Sequence, residues 1–288
     1  MNKISVLSLV ISIVVLAFVL FFRGTQSSTD IKKQTAYERV MRTNTLRCGY
    51  VNWKPYYFKD PNTGAVAGIN YDIMTEVGKI LDLKIDWTEE VGWGTIGAGF
   101  KSGRYDAVCT SMWPDAGKYK NMSLSTPLFY SKIVPYVRPE DNRFDGRYDR
   151  INQKDVRIAV VDGAFTYNLA KANFPKAQII ALPQLLQEAE YLMTVPSNKA
   201  DVVLIDVDET KGYLKANPGK LRAVKNVPPV KTFPHVIAMP PTEAQLTQMI
   251  NQAFQLLIDN GFMAKIKKKY ETEYMLPKTG FVKNQVAP

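Results

Sequence analysis

Asp206 closes the apolar run Val202-Val203-Leu204-Ile205. A carboxylate at the carboxyl end of a buried strand faces the crevice that such strands open on, and in low dielectric it suits a cationic partner. The same side chain could instead cap a following helix. Trp53, two residues before Pro55, and Trp93, just before Thr95, sit in loops. Each offers a broad rigid face with an indole donor, for a solute or for ordinary loop packing. The turn Asp162-Gly163-Ala164-Phe165-Thr166 follows a strand pattern and opens a helix pattern. Its amides can hold an anion with help from the Thr166 hydroxyl, or Thr166 can simply cap the helix. His235, the sole histidine, lies beside Pro234 in an extended segment with no foreseeable partner, so a structural role is expected. Cys48 and Cys109 form no C-x-x-C pair, which leaves zinc and thioredoxin-like chemistry unsupported. They sit in two strand-like runs and can be a bridge or two buried thiols. Nothing here makes a catalytic group, and no metal or cofactor is expected.

The elements that must hold these residues alternate between strand and helix. Thr45–Tyr50 reads as a strand. Tyr71–Leu81 reads as a helix with Ile73, Val77, Ile80 and Leu81 on one face, and Leu83–Thr88 as a strand. Thr95–Ser102 follows as a short helix stopped by Gly103, then Asp106–Thr110 as a strand. A second series repeats the plan: strand Val156–Val161, helix Tyr167–Ala172, strand Gln178–Ala181, helix Leu185–Met193, strand Ala200–Ile205. Thr242–Asn260 is amphipathic, with Leu246, Ile250, Phe254 and Leu257 in its apolar stripe. The alternation predicts α/β units with mainly parallel, helix-covered sheets. Two extended segments, Ser131–Val137 and Lys231–Met239, cross between the units, which suggests a hinge above a cleft.

The 288 residues allow two lobes, and 46 % apolar with 22 % charged residues is a globular balance. The formal charge of +10 includes Lys265, Lys267, Lys268 and Lys269, read as a solvated helix face. No nucleic-acid motif accompanies it, and no nucleic-acid partner is expected. Ile4–Phe22 is uncharged, with Lys3 before it and Arg23 after it. Its length just covers a hydrocarbon core of ~30 Å. An uncleaved signal anchor is expected, with a cleaved signal peptide as the alternative; either puts the rest of the chain outside the membrane. Residues 1–33 would then be anchor and tether, 34–133 a first lobe, 134–232 a second, and 233–288 a return to the first.

Several blocks in order resemble the family 3 bacterial extracellular solute-binding proteins. They are Leu46-Arg47-Cys48-Gly49-Tyr50, Gly68-Ile69-Asn70-Tyr71-Asp72-Ile73, Lys101-Ser102-Gly103-Arg104-Tyr105-Asp106-Ala107, Leu124-Ser125-Thr126-Pro127-Leu128-Phe129-Tyr130 and Asn260-Gly261-Phe262-Met263-Ala264-Lys265-Ile266. The resemblance implies the type II periplasmic-binding fold, two lobes on a two-strand hinge, and closure on a small polar solute. It implies a monomer on the periplasmic side of the cytoplasmic membrane, serving an ABC permease. It places aromatic contacts at Trp53 and Trp93, and an ammonium partner at Asp206. The family's small residue, Thr and carboxylate-clamping Arg fall on Ser111, Trp113 and Lys118. Lysine lacks the planar fork of arginine, so an ordinary α-amino acid is not assured as ligand. Two other readings stay open: a cyclohexadienyl-dehydratase-like enzyme, for which no Glu or His is evident in the cleft, and a tethered sensor.

Overall fold

The computed structural model describes residues 34–114, 117 and 119–277, with residues 17 and 18. Residues 1–34 and 35–288 are separate units; the account below concerns the second. The proposed anchor Ile4–Phe22 therefore lies outside the described residues except for Ala17 and Phe18. Among the described residues no helix is long and apolar enough to cross a membrane.

The chain opens with helix α1 (Ala36–Thr43), whose start is fixed by a capping box between Thr35 and Glu38. Strand β1 (Thr45–Tyr50) follows, then a small hairpin of β2 (Phe58–Lys59) and β3 (Val66–Ala67). Helix α2 (Ile69–Leu81), β4 (Lys84–Glu90), α3 (Ile96–Ser102) and β5 (Ala107–Met112) complete the first series. Short β6 (Ser123–Leu124) precedes the long β7 (Phe129–Val137). The second series runs β8 (Arg157–Val161), α4 (Phe165–Asn173), β9 (Gln178–Leu182), α5 (Glu188–Met193), β10 (Val202–Asp206) and α6 (Val207–Ala216). Then come β11 (Arg222–Ala223), β12 (Lys231–Met239), α7 (Ala244–Asp259) and α8 (Phe262–Lys269).

The main sheet has the order β4-β1-β5-β12-β7-β10-β8-β9. Two parallel triplets, β4-β1-β5 and β10-β8-β9, flank an antiparallel pair. Strand β12 belongs to both halves: Lys231–His235 pair with β7, while Val236 and Ala238 pair with β5. The fold is α/β and two-lobed, of the type II periplasmic-binding class, with β7 and β12 as the crossing strands. Strands β8 and β10 are buried on both faces. Ile158, Val160, Val202 and Leu204 enter one apolar cluster, and Ala159, Val161, Val203 and Ile205 the other. That is why they read as unbroken apolar runs.

Each triplet is pinned by an aspartate that precedes its third strand. Asp106 accepts the Arg47 amide of β1 at 2.8 Å and pairs with the Arg39 and Arg47 guanidinium groups. Asp201 accepts the Arg157 amide of β8 at 2.9 Å and pairs with Arg138 and Arg157 at 3.0 Å each. These charged hydrogen bonds hold the Asp201 carboxyl well below the usual range. Cys48 and Cys109 are joined as a disulfide between β1 and β5, which resolves the alternative left open by the sequence. Helix α5 starts three residues later than the apolar pattern suggests, and Leu185 is exposed.

Candidate functional site

The crevice opens at the carboxyl ends of the parallel strands. From the first series come Trp53 and Tyr56 after β1, Trp93 before α3, and Ser111 and Trp113 at the end of β5. From the second come Phe165 and Thr166 of α4, Tyr191 of α5 and Glu209 of α6; His235 comes from β12. The rings pack at their edges: Trp53 lies 6.4 Å from Trp93 and 6.3 Å from Tyr191 between ring centres. The free space among these groups is about 40 Å³, room for about three waters. Anything larger requires the two sides to part.

His235 is the centre of a buried network. Its ring packs against Phe129 at 4.3 Å and Tyr56 at 4.7 Å, two rings that also stack on each other at 5.9 Å. The Trp113 indole N–H donates to Nε2 at 2.9 Å. Nε2 must therefore be the accepting nitrogen, and the ring proton sits on Nδ1, 3.0 Å from the Ser111 hydroxyl. Ser111 reaches Asn70 Oδ1 through both its amide and its hydroxyl at 3.1 Å. The Ser131 hydroxyl also contacts Nε2, at 2.6 Å. Burial lowers the histidine's pKa, opposed by Asp206. The ring is thus a neutral spacer that fixes Trp113 and Ser111.

Asp206 is fully buried. Its Oδ1 accepts the Asp208 amide at 2.7 Å and so caps α6. Its Oδ2 has no hydrogen-bond partner; His235 Nε2 is 3.7 Å away. One turn on, Glu209 is 3 % exposed, and its Oε2 is also unpartnered. Burial, then the Asp206 charge, pushes the Glu209 carboxyl well above the usual range. The Tyr56 hydroxyl completes the set: buried, unpartnered and pushed up by burial and by Asp206. Among the described residues no Lys or Arg lines the crevice. Beyond Glu209 a second cavity of about 530 Å³ is bordered by Lys54, Glu188 and Asp208. Burial pushes Glu188 up to about 7 there, with Lys54 opposing.

Gln184 bridges the mouth. Its Oε1 accepts the Gly94 amide at 3.0 Å, and its Nε2 donates to Asp162 Oδ2 at 3.2 Å. Gly163, with φ of +69°, turns the chain so closely over Gly94 that a Cβ would sit 2.9 Å from the Gly94 nitrogen. Only glycine fits that approach.

Of the residues singled out from the sequence, Trp53, Trp93, Ser111, Trp113 and Thr166 line this one crevice. Asp206 stands behind the wall, beside His235. Lys118 lies outside the described residues. Thr166 does not cap α4: Ala164 holds that position without a side-chain bond, and Thr166 is buried within the first turn. His235 has three polar partners where none was foreseen, because they come from β5 and β7, distant in sequence. The expectation that no Glu or His occupies the cleft also fails, since Glu209 and His235 both line it. The Asp206 cap and the polar run Asp208-Glu209 were the signal for α6, the helix that aims Glu209 inward.

A crossed two-lobe α/β fold with a narrow, aromatic, acid-bearing crevice is the framework of the cleft-type solute-binding fold. The chain belongs to the bacterial extracellular solute-binding proteins, family 3, whose model matches residues 46–273. It is 25 % identical to a probable histidine-binding protein of Campylobacter jejuni, over 84 % of this chain and 90 % of that one. It is 23 % identical to the L-cystine-binding protein TcyA of Bacillus subtilis, over 92 % of this chain and 95 % of the relative. Among solved structures it is similar to an ancestral amino acid-binding protein described as a precursor of cyclohexadienyl dehydratase. That match has a TM-score of 0.73 and 24 % identity, over 83 % of this chain and all of the other.

Proposed function

We propose that this chain captures an amino acid or related amine in the crevice and delivers it to an ABC-type permease. The observation that carries the reading is the fully buried Asp206 carboxylate, whose Oδ2 lacks a partner beside an aromatic cleft. A buried charge is costly unless an opposite charge meets it, and a ligand ammonium is suited to that task. The relatives named for histidine and cystine binding favour the same class of solute. In this reading residues 34–133 and 233–288 form one lobe and 134–232 the other. They swing about β7 and β12, and ligand contacts on both sides draw the population to the closed form. Trp53, Trp93, Ser111, Trp113 and Lys118 would receive the solute on one side, and Thr166 and Asp206 on the other. The segment Ile4–Phe22 would tether the protein, as a monomer, on the periplasmic face and raise its concentration near the permease.

The test is a thermal-shift screen of amino acids, polyamines, organic acids and opines, followed by calorimetry on Asp206→Asn. Asparagine caps a helix as well as aspartate does, so the variant should keep its fold and lose at least 30-fold in affinity. An unchanged affinity for every hit would refute the site. Solution scattering should show the particle contracting on binding.

One observation favours a second reading, a dehydratase of the cyclohexadienyl type. Glu209 is a carboxyl in the cleft whose proton affinity is raised by burial and by Asp206, the direction a general acid needs. Incubation with prephenate and with arogenate decides it: an aromatic product formed by wild type and lost in Glu209→Gln would establish the enzyme.

A further inference from the structure

Two carboxyls stand at one corner of the crevice, Glu209 in its lining and Asp206 just behind it beside His235, and a single ligand ammonium satisfies one of them. Asp206, the N-cap of α6, and Glu209, in its first turn, stand three residues apart, both at least nine-tenths buried, each with one oxygen that makes no hydrogen bond of ordinary length, with Tyr56 and His235 close to Asp206 and Trp53 close to Glu209. The cations nearby are spoken for elsewhere: Lys211 contacts Asp208 at 3.1 Å, and Lys54 lies over the Phe58 ring at 3.8 Å. Trp53 and Tyr191 line the crevice together with Glu209. Aromatic rings near a carboxylate give a cation a second kind of partner.

Resting on the reading of the crevice as a solute site, we propose that Glu209 is a specificity-determining residue that takes a second positive charge, so that the ligand is an amino acid with a cationic side chain. The α-ammonium goes to Asp206 and the side-chain cation to Glu209, between Trp53 and the second cavity. Burial already makes the Glu209 carboxylate costly in the free protein; a cation offsets that cost and a neutral side chain does not. A neutral isostere of the ligand would leave the carboxylate buried and unmet, which is the stronger source of discrimination.

The experiment compares L-arginine with L-citrulline, nearly the same shape without the charge, and L-lysine with L-norleucine. Affinities are read by calorimetry on the full chain, its fold checked by circular dichroism. Wild type should prefer the charged member of a pair by roughly 30-fold or more. Glu209→Gln should reduce that ratio to about 3-fold or less, while Asp206→Asn weakens both members alike. Equal wild-type affinities for the two members, a comparison that needs no variant, would overturn the inference, as would a ratio unchanged in Glu209→Gln. Either result leaves the solute-binding reading standing. If no amino acid binds wild type at all, that reading falls and this one with it.

Discussion

The Cys48–Cys109 bond gives the most quantitative prediction. It closes a loop of 61 residues between two strands that are already hydrogen-bonded neighbours, with Cys48 opposite Ala107 in register. The Cα atoms are 5.4 Å apart, an ordinary separation for a disulfide. Reduction should therefore leave the native sheet intact and act mainly by freeing the unfolded chain. Loop-closure entropy for 61 residues amounts to about 14 cal/mol/K, or about 4 kcal/mol at 25 °C. For a body of this size that is a fall in Tm of roughly 10 °C. The assay is urea unfolding followed by tryptophan fluorescence, with oxidised and reduced wild type side by side. Every side chain is then the same in both samples. Coincident midpoints would refute the reasoning, because they would mean that the bond does not constrain the unfolded ensemble. A loss of native circular dichroism before any urea is added would refute it too, because the strand pairing would then depend on the bond.

Three further outcomes follow from named contacts. Gln184→Ala removes the one of its two hydrogen bonds that crosses the mouth, from the Gly94 amide, about 0.5–1.5 kcal/mol; stopped-flow release of a bound ligand should accelerate about 2- to 12-fold. Asp201→Asn strips the charge that pairs with Arg138 and Arg157 and should cost about 3 kcal/mol at pH 7. The folded-state pKa of Asp201 is depressed below its ordinary 3.8, so its contribution is present above that value and is lost as pH falls below it. The stability gap to wild type, measured by denaturant titration, should narrow in acid. Trp113→Phe keeps the ring packing on Phe233 but loses the N–H to His235; a drop of about 1 kcal/mol, seen as a few degrees in Tm, is expected.

The strand and helix plan was legible because it is written in short-range periodicity. Strands β8 and β10 are apolar on both faces, α7 shows one stripe, and β12 spans Lys231–Met239 as the sequence reading has it. Helix α6 was not foreseen: Val207-Asp208-Glu209-Thr210 begins in polar residues whose burial comes from partners elsewhere in the chain. The crevice residues Trp53, Trp93, Ser111, Trp113 and Thr166 were identifiable from their places at strand ends and turns. What each of them touches was not.

The sequence by itself determined the local elements, the order of the blocks that mark the family, and the carboxylate at the end of β10. The tertiary structure decided the disulfide, the neutral state of His235 and the exposure of Glu209 to the crevice. Those depend on groups far apart in the chain: 61 residues between the cysteines, 122 between Trp113 and His235. Local propensity carries no information at that range. Burial, which sets whether a carboxyl keeps its charge, exists only once the sheets have closed over it.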